Sequence, residues 1–303
     1  MRVAAIHGIR DPRRSSVLQE VQKTVSTFSA IRGEAMRKRI ITVFICSIAL
    51  IMLLTGVILY QRKKQDMGYA KKLISAIEKN DMDLLSELLE EKGNVNAKPH
   101  FFDMDVRNYQ PLSEAAYRGN FEAVKMLIEA GAKVNVFGTE KRTPLHMAVE
   151  GYSQENVCKI VSYLVEHGAK INQKNLYGEM PLATLLKYSM NEDRYQCFLY
   201  LVEHGADVYK GRHGSVLFEA SYSNNVQVLS YLFSNYAIDP NERDISKAGY
   251  TPLIETTHLG AEDACKFLLA HGADKSLTDA NGKTAYDYAI ENGYTELAEL
   301  LKP

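Results

Sequence analysis

The 303-residue sequence predicts an all-α chain in which one transmembrane helix is followed by a solenoid of about seven short helix pairs joined by extended fingers. Three observations predict it. An uncharged apolar run, IITVFICSIALIMLLTGVILY, fills Ile40 to Tyr60. A Thr-Pro-Leu phrase and its variants return at steps of 33, 37, 35, 36 and 33 residues, counted at Pro111, Pro144, Pro181, Val216, Pro252 and Ala285. A second phrase, Gly131-Ala-Lys-Val-Asn135 and its variants, keeps the same phase after it. Fixed periods of this length mark repeat architectures, in which each unit is too small to bury its own apolar face and stability comes from stacking.

The elements follow in chain order as a basic tail (1–39), a signal anchor (40–60), a linker (61–68) and the repeat array (69–303). As a helix rising ~1.5 Å per residue, the apolar run spans roughly 30 Å, the thickness of a bilayer core. Arg37-Lys38-Arg39 and Arg62-Lys63-Lys64 bracket it, which a buried helix of a water-soluble core does not require. No small-x-small cleavage motif follows, so an uncleaved anchor is expected. Lys and Arg nearly balance on its two sides; a basic cluster directly ahead of the run favours an N-terminus inside and an array in the bacterial periplasm. Read from Met36, the chain has the layout of an export signal; alternatively residues 1–35 are a cytoplasmic tail, with Val17, Val21, Val25 and Phe28 at helical spacing. A start at Met67 would give a soluble cytoplasmic form.

Within the array, Ala70 to Glu91 reads as an opening helix pair without the proline phrase. In later units proline falls at the first turn of a short helix, where its missing N–H costs nothing, and Gly119 ends the first such helix. A second helix follows with an apolar stripe: Phe121, Val124, Met126, Leu127 and Ile128, then Val161, Leu164 and Val165, then Phe198, Leu201 and Val202, then Leu229, Leu232 and Phe233. At the end, Leu297, Leu300 and Leu301 can face the stack while Glu296 and Glu299 face water. The segment Tyr222 to Pro240 is the most divergent closing half.

With Thr143-Pro144-Leu145-His146-Met147-Ala148 as its fullest copy, the array resembles the ankyrin repeat family, over about 235 residues from Tyr69 to Pro303. The resemblance implies that His146 braces a turn by hydrogen bonding, and that a partner protein binds on the side carrying the fingers and first helices. A signal anchor ahead of such an array also resembles ankyrin-type immunity proteins that neutralise phospholipase effectors of type VI secretion systems; that likeness implies a toxin whose active site the array occludes. The other reading is a membrane-tethered scaffold or regulator that concentrates a partner without inhibiting it.

No enzyme, cofactor or metal is expected. His167, His204 and His271 each precede a glycine at a helix end, where imidazole suits the carbonyl terminus. Cys158, Cys197 and Cys265 fall at different offsets from those glycines, and with Cys46 they form neither a disulfide framework nor a zinc knuckle. The sequence contains no G-x-S-x-G, H-E-x-x-H or phosphate-cradling glycine loop. A small-molecule substrate is not expected either.

The remaining chemistry lies on the fingers. Phe101, Phe102, Tyr109, Phe137, Tyr177, Tyr209 and Tyr250 fall there, together with Arg212 and His213 of the Gly211-Arg-His-Gly214 loop. Exposed aromatic rings anchor interfaces because they bury much area at low entropic cost; a ring that folds back instead fills the gap between fingers. The formal charge of -1 hides a separation. Residues 1–39 hold nine Lys/Arg and three Asp/Glu, Arg62, Lys63 and Lys64 add three more cations, and residues 65–303, the array with Asp66 just ahead of it, hold 24 basic against 34 acidic residues, net -10. An acidic array is steered towards a basic protein surface and away from nucleic acid.

Overall fold

The computed structural model describes residues 12–99, 109–151, 156–244 and 249–303. The chain divides into two units, Met1–Lys63 and Lys64–Pro303. Helix α1 (Pro12–Glu78) runs without a break through the apolar segment and through 61–68, the stretch expected as a linker. One stretch of it, Met36–Glu78, is long and apolar enough to cross a membrane, and none of its apolar window is buried. Three hydroxyls inside its apolar run hydrogen-bond back into the helix: Thr42 Oγ1 donates to the Lys38 carbonyl at 2.9 Å, Ser47 Oγ to Val43 at 2.8 Å and Thr55 Oγ1 to Met52 at 2.9 Å. Such back-bonding leaves no hydroxyl to be desolvated unpaired.

In the second unit the end of α1 packs on α2 (Met82–Glu90), where Tyr69 donates its hydroxyl to the Leu88 carbonyl at 2.7 Å. Six further pairs follow: α3 (Pro111–Tyr117) with α4 (Phe121–Glu129), α5 (Pro144–Glu150) with α6 (Val157–Glu166), α7 (Pro181–Leu186) with α8 (Glu192–Glu203), α9 (Leu217–Tyr222) with α10 (Val226–Asn235), α11 (Pro252–His258) with α12 (Glu262–Ala270), and α13 (Ala285–Glu291) with α14 (Thr295–Leu301). The first helices of the pairs, from α3 to α13, pack side by side in one layer. In the second layer α2, α4, α6 and α8 pack in series, and α10 packs on α12.

The sequence phrases explain the build. Proline stands at the start of α3, α5, α7 and α11, with extended backbone just before it. The residue after the proline position is a leucine buried in the core at Leu112, Leu145, Leu182, Leu217 and Leu253. Facing them, Leu127, Leu164, Leu201, Leu232 and Leu268 of the second layer are fully buried. Second helices start on asparagine side chains: Asn120, Asn191 and Asn225 accept from the backbone N–H groups of Ala123, Arg194 and Val228 at 3.0, 2.8 and 3.1 Å. They end on Gly131, Gly168, Gly205 and Gly272, whose φ of +87° to +92° is the left-handed conformation glycine reaches without strain.

Neighbouring repeats are clamped by the last residue of the glycine phrase. Asn96 donates to the Gly131 carbonyl and accepts from the Lys133 N–H, at 3.1 and 2.7 Å. Asn135 does the same to Gly168 and Lys170 (2.8 and 2.8 Å), Asn172 to Gly205 and Asp207 (2.8 and 3.0 Å), and Asn241 to Gly272 and Asp274 (3.1 and 2.8 Å). Between the pairs α7–α8 and α9–α10 the clamp is missing, because Tyr209 stands where the asparagine would be. There the contact is aromatic: the Phe198 ring meets Tyr231 edge-on at 5.3 Å, and Tyr209 meets Tyr236 at 6.1 Å.

Candidate protein-binding site

The histidines serve the frame. His146 Nδ1 lies 3.2 Å from the Thr143 N–H and 2.9 Å from its hydroxyl, while Nε2 reaches the Glu179 carbonyl of the next finger at 3.1 Å. A carbonyl only accepts, so Nε2 carries the proton and Nδ1 accepts, which is the neutral imidazole. Burial pushes its pKa down to about 4, in keeping with that state. His167, His204 and His271 hold the carbonyls of Tyr163, Tyr200 and Phe267 through Nδ1 at 2.7, 2.8 and 2.7 Å and lie against the rings of those same residues. Cys197 and Cys265 are buried and Cys158 half-buried; burial raises the Cys265 thiol to about 11 and Cys197 well above the ordinary range. These thiols stay protonated and unreactive.

The finger residues separate into three groups. Phe137, Tyr177 and Tyr209 are 44%, 49% and 54% exposed, as interface anchors require. Tyr109 and Tyr250 instead fold back on the core. Tyr109 packs on Gly138, where an added Cβ would come within 2.8 Å of its ring; the Tyr250 hydroxyl meets that of Tyr288 at 2.8 Å, and its ring lies edge-on to His258 and Tyr288. Phe101 and Phe102 lie outside the described residues.

One group of these residues comes together. Tyr177 donates its hydroxyl to Glu140 at 2.6 Å, tying two fingers, and the Arg212 guanidinium stands 6.0 Å from its ring centre. Arg212 also pairs with Glu179 at 3.4 Å, and Lys187 pairs with the same carboxylate. Burial alone would raise the Glu179 pKa, but the Lys187 hydrogen bond and charge, with Asn175 and Arg212, hold it below the usual carboxylate range. His213 Nδ1 lies 3.1 Å from the buried Asp244 carboxylate.

Arg212 and His213 line a pocket of about 390 Å³ with Lys187, Tyr188, Phe218, Glu219, Tyr222 and Glu255. Glu219 and Glu255 occupy the same place on successive first helices, three residues past the proline position, where α5 and α7 carry Met147 and Thr184. Glu219 is 3% exposed. Its Oε1 accepts from the Arg212 backbone N–H at 2.9 Å, and burial pushes its pKa up to about 7. The absence of a side chain on Gly211 makes its space, since a Cβ there would sit 2.5 Å from Oε2. Sequence reasoning singles out the aromatic and basic rim and misses these carboxylates; the signal for them is a glutamate on two successive first helices, in a register that α5 and α7 fill with uncharged residues.

Among the described residues no group of histidine, cysteine or carboxylate side chains could hold a metal ion. The comparisons with known proteins agree with the geometry. The family model for ankyrin repeats matches three times, at residues 73–175, 137–212 and 217–303. The chain is 33% identical over 96 residues to the Escherichia coli ankyrin repeat protein YahD, covering 30% of this chain and 47% of that one. It is 35% identical over 88 residues to human protein phosphatase 1 regulatory subunit 27, covering 29% of this chain and 54% of that one. The chain thus spans about half the length of the curated relatives it matches. Proteins of this kind are generally non-catalytic binding scaffolds, and with the proline-started pairs, glycine-closed helices and asparagine clamps in place, the chain belongs to the ankyrin repeat family.

Proposed function

We propose that the chain is a membrane-anchored module that binds another protein on its fingers and first helices, and that it acts as a bacterial immunity protein against a secreted, lipase-like effector. The observation that carries the binding reading is the set of exposed finger rings, Phe137, Tyr177 and Tyr209, on an acidic array. Exposed rings supply anchors, and the acidic field draws a basic surface. The exposed apolar helix supports the anchor, since about 20 uncharged residues left uncovered by protein are stable only in lipid. The inhibitory role rests on the likeness of that layout to anchored ankyrin-type immunity proteins: an array on the periplasmic face would meet an incoming toxin at the membrane it attacks, and a product starting at Met67 would meet it in the cytoplasm.

The test is enzymatic. A lipase gene with a G-x-S-x-G motif is sought beside the gene for this chain, its product is mixed with the full chain in detergent, and lipid hydrolysis is followed as the ratio rises. Hydrolysis is expected to cease near one-to-one, and the double variant Phe137→Ala with Tyr177→Ala is expected to raise the required ratio at least tenfold. A stable complex with undiminished hydrolysis would replace inhibition by scaffolding, the role that the regulatory-subunit name of the human relative suggests. A reporter active only in the periplasm, fused after Pro303, tests the orientation.

A further inference from the structure

We propose that the pocket between Tyr188, Phe218 and Tyr222 receives a basic side chain of the partner protein, whose cationic head reaches the carboxylates of Glu219 and Glu255. The inference rests on the protein-binding reading above and names what this part of the surface recognises. Its anchor is an unmet hydrogen bond. Glu219 lines the pocket, and its buried Oε2 has no hydrogen-bond partner among the described residues. A buried carboxylate oxygen left without a donor is destabilising, and that cost is recovered when a donor reaches it from the adjoining pocket.

The pocket selects the donor. Three aromatic side chains form its walls, and Tyr222 is 53% exposed, so its ring is available to an entering group. Aromatic faces attract cations and cover the methylene stem of a lysine or arginine. Lys187 and Arg212 already stand at the rim, but both are paired with Glu179, and His213 faces Asp244. The net charge of -10 over residues 65–303 favours arrival of a further positive charge on a basic protein.

The test needs no identified partner. N-acetyl-arginine amide and its neutral isostere N-acetyl-citrulline amide are titrated calorimetrically into the full chain in mild detergent. The arginine compound is expected to bind with a millimolar Kd and the citrulline compound at least tenfold more weakly. Glu219→Gln should cost the arginine compound about tenfold and bring the two ligands level; Tyr222→Ala, at an exposed ring, should weaken it severalfold without touching the fold. Equal binding of the two compounds, or no binding of either, overturns the proposal. So does unchanged affinity in Glu219→Gln, or in Tyr222→Ala should the first variant fail to fold by circular dichroism. Uncapped arginine binding more than tenfold tighter than the capped amide would assign the pocket to a free amino acid and overturn the proposal equally. Because no lipase enters this measurement, its failure leaves the partner-binding reading standing, and absence of a lipase complex leaves the pocket's preference standing.

Discussion

Glu219 and His146 are both buried titratable groups of the first-helix layer, and they pull stability in opposite directions with pH. Glu219 has an ordinary value of 4.5 and a folded value of about 7. Below 4.5 both folded and unfolded chains hold its proton; as pH rises towards 7 only the unfolded chain releases it, and stability falls by about 3 kcal/mol. His146 has an ordinary value of 6.5 and a folded value of about 4. Its contribution is complete above pH 6.5 and is lost as pH falls towards 4, because the unfolded chain takes up a proton that the folded one refuses. Glu219→Gln removes the first effect alone. Denaturant titrations of the two proteins should therefore nearly coincide at pH 4 and separate by about 3 kcal/mol in favour of the variant by pH 8; a constant difference across that range would show that the carboxylate is not held neutral by burial. Stability traded for an unpaired carboxylate is what a binding residue looks like at this scale.

At the scale of the element, the asparagine clamp is the smallest device that makes seven helix pairs one stack. Each clamp joins a glycine-closed helix end to the preceding finger by two hydrogen bonds, and a solenoid's stability is the sum of such neighbour terms. Asn135→Ala or Asn172→Ala, each removing two bonds, should lower stability by about 1–2 kcal/mol in chemical melts. The clamp is missing at Tyr209, so backbone amides of α9 and α10 are expected to exchange with solvent sooner than those of α5 and α6; uniform protection along the array would refute a weak joint there. Much of this is legible in the sequence. Proline at a helix start and glycine at a helix end each answer a local backbone demand, so the pairs α3–α4, α5–α6, α7–α8 and α11–α12 can be counted from the order of residues alone, while α9–α10 and α13–α14, without that proline, are found by the repeat period. The clamp is less legible, because its partners lie 31 to 37 residues away. Burial of Tyr109 and Tyr250 is not legible at all: an aromatic residue on a finger is the same letter whether it anchors a partner or plugs a gap, and only packing against Gly138 or Tyr288 decides.

For the molecule as a whole, the decisive property is the separation of an apolar, basic-flanked helix from an acidic array. The apolar stretch of α1 exposes Ile41, Phe44, Ile51, Leu54 and Ile58 at once, an area of hydrocarbon that water does not tolerate on a monomeric protein. Lipid resolves this, because the Thr42, Ser47 and Thr55 hydroxyls within the stretch are already satisfied by their own helix. The consequence is quantitative. An arginine near the middle of a spanning helix costs about 2.5–3.5 kcal/mol on the insertion scale, so the double variant Ile51→Arg with Leu54→Arg should lose on the order of 5 kcal/mol or more of membrane preference, enough to release the protein. Cells expressing the unaltered chain are expected to retain it in the membrane pellet through an alkaline wash, with the double variant in the supernatant and its array still folded by circular dichroism. If both proteins stayed in the pellet, the attachment would have to come from the basic flanks, and a wash in high salt rather than alkali would then strip it. If both were soluble, the helix would have to be covered by protein, and gel filtration would show an assembly larger than one 34.1 kDa chain.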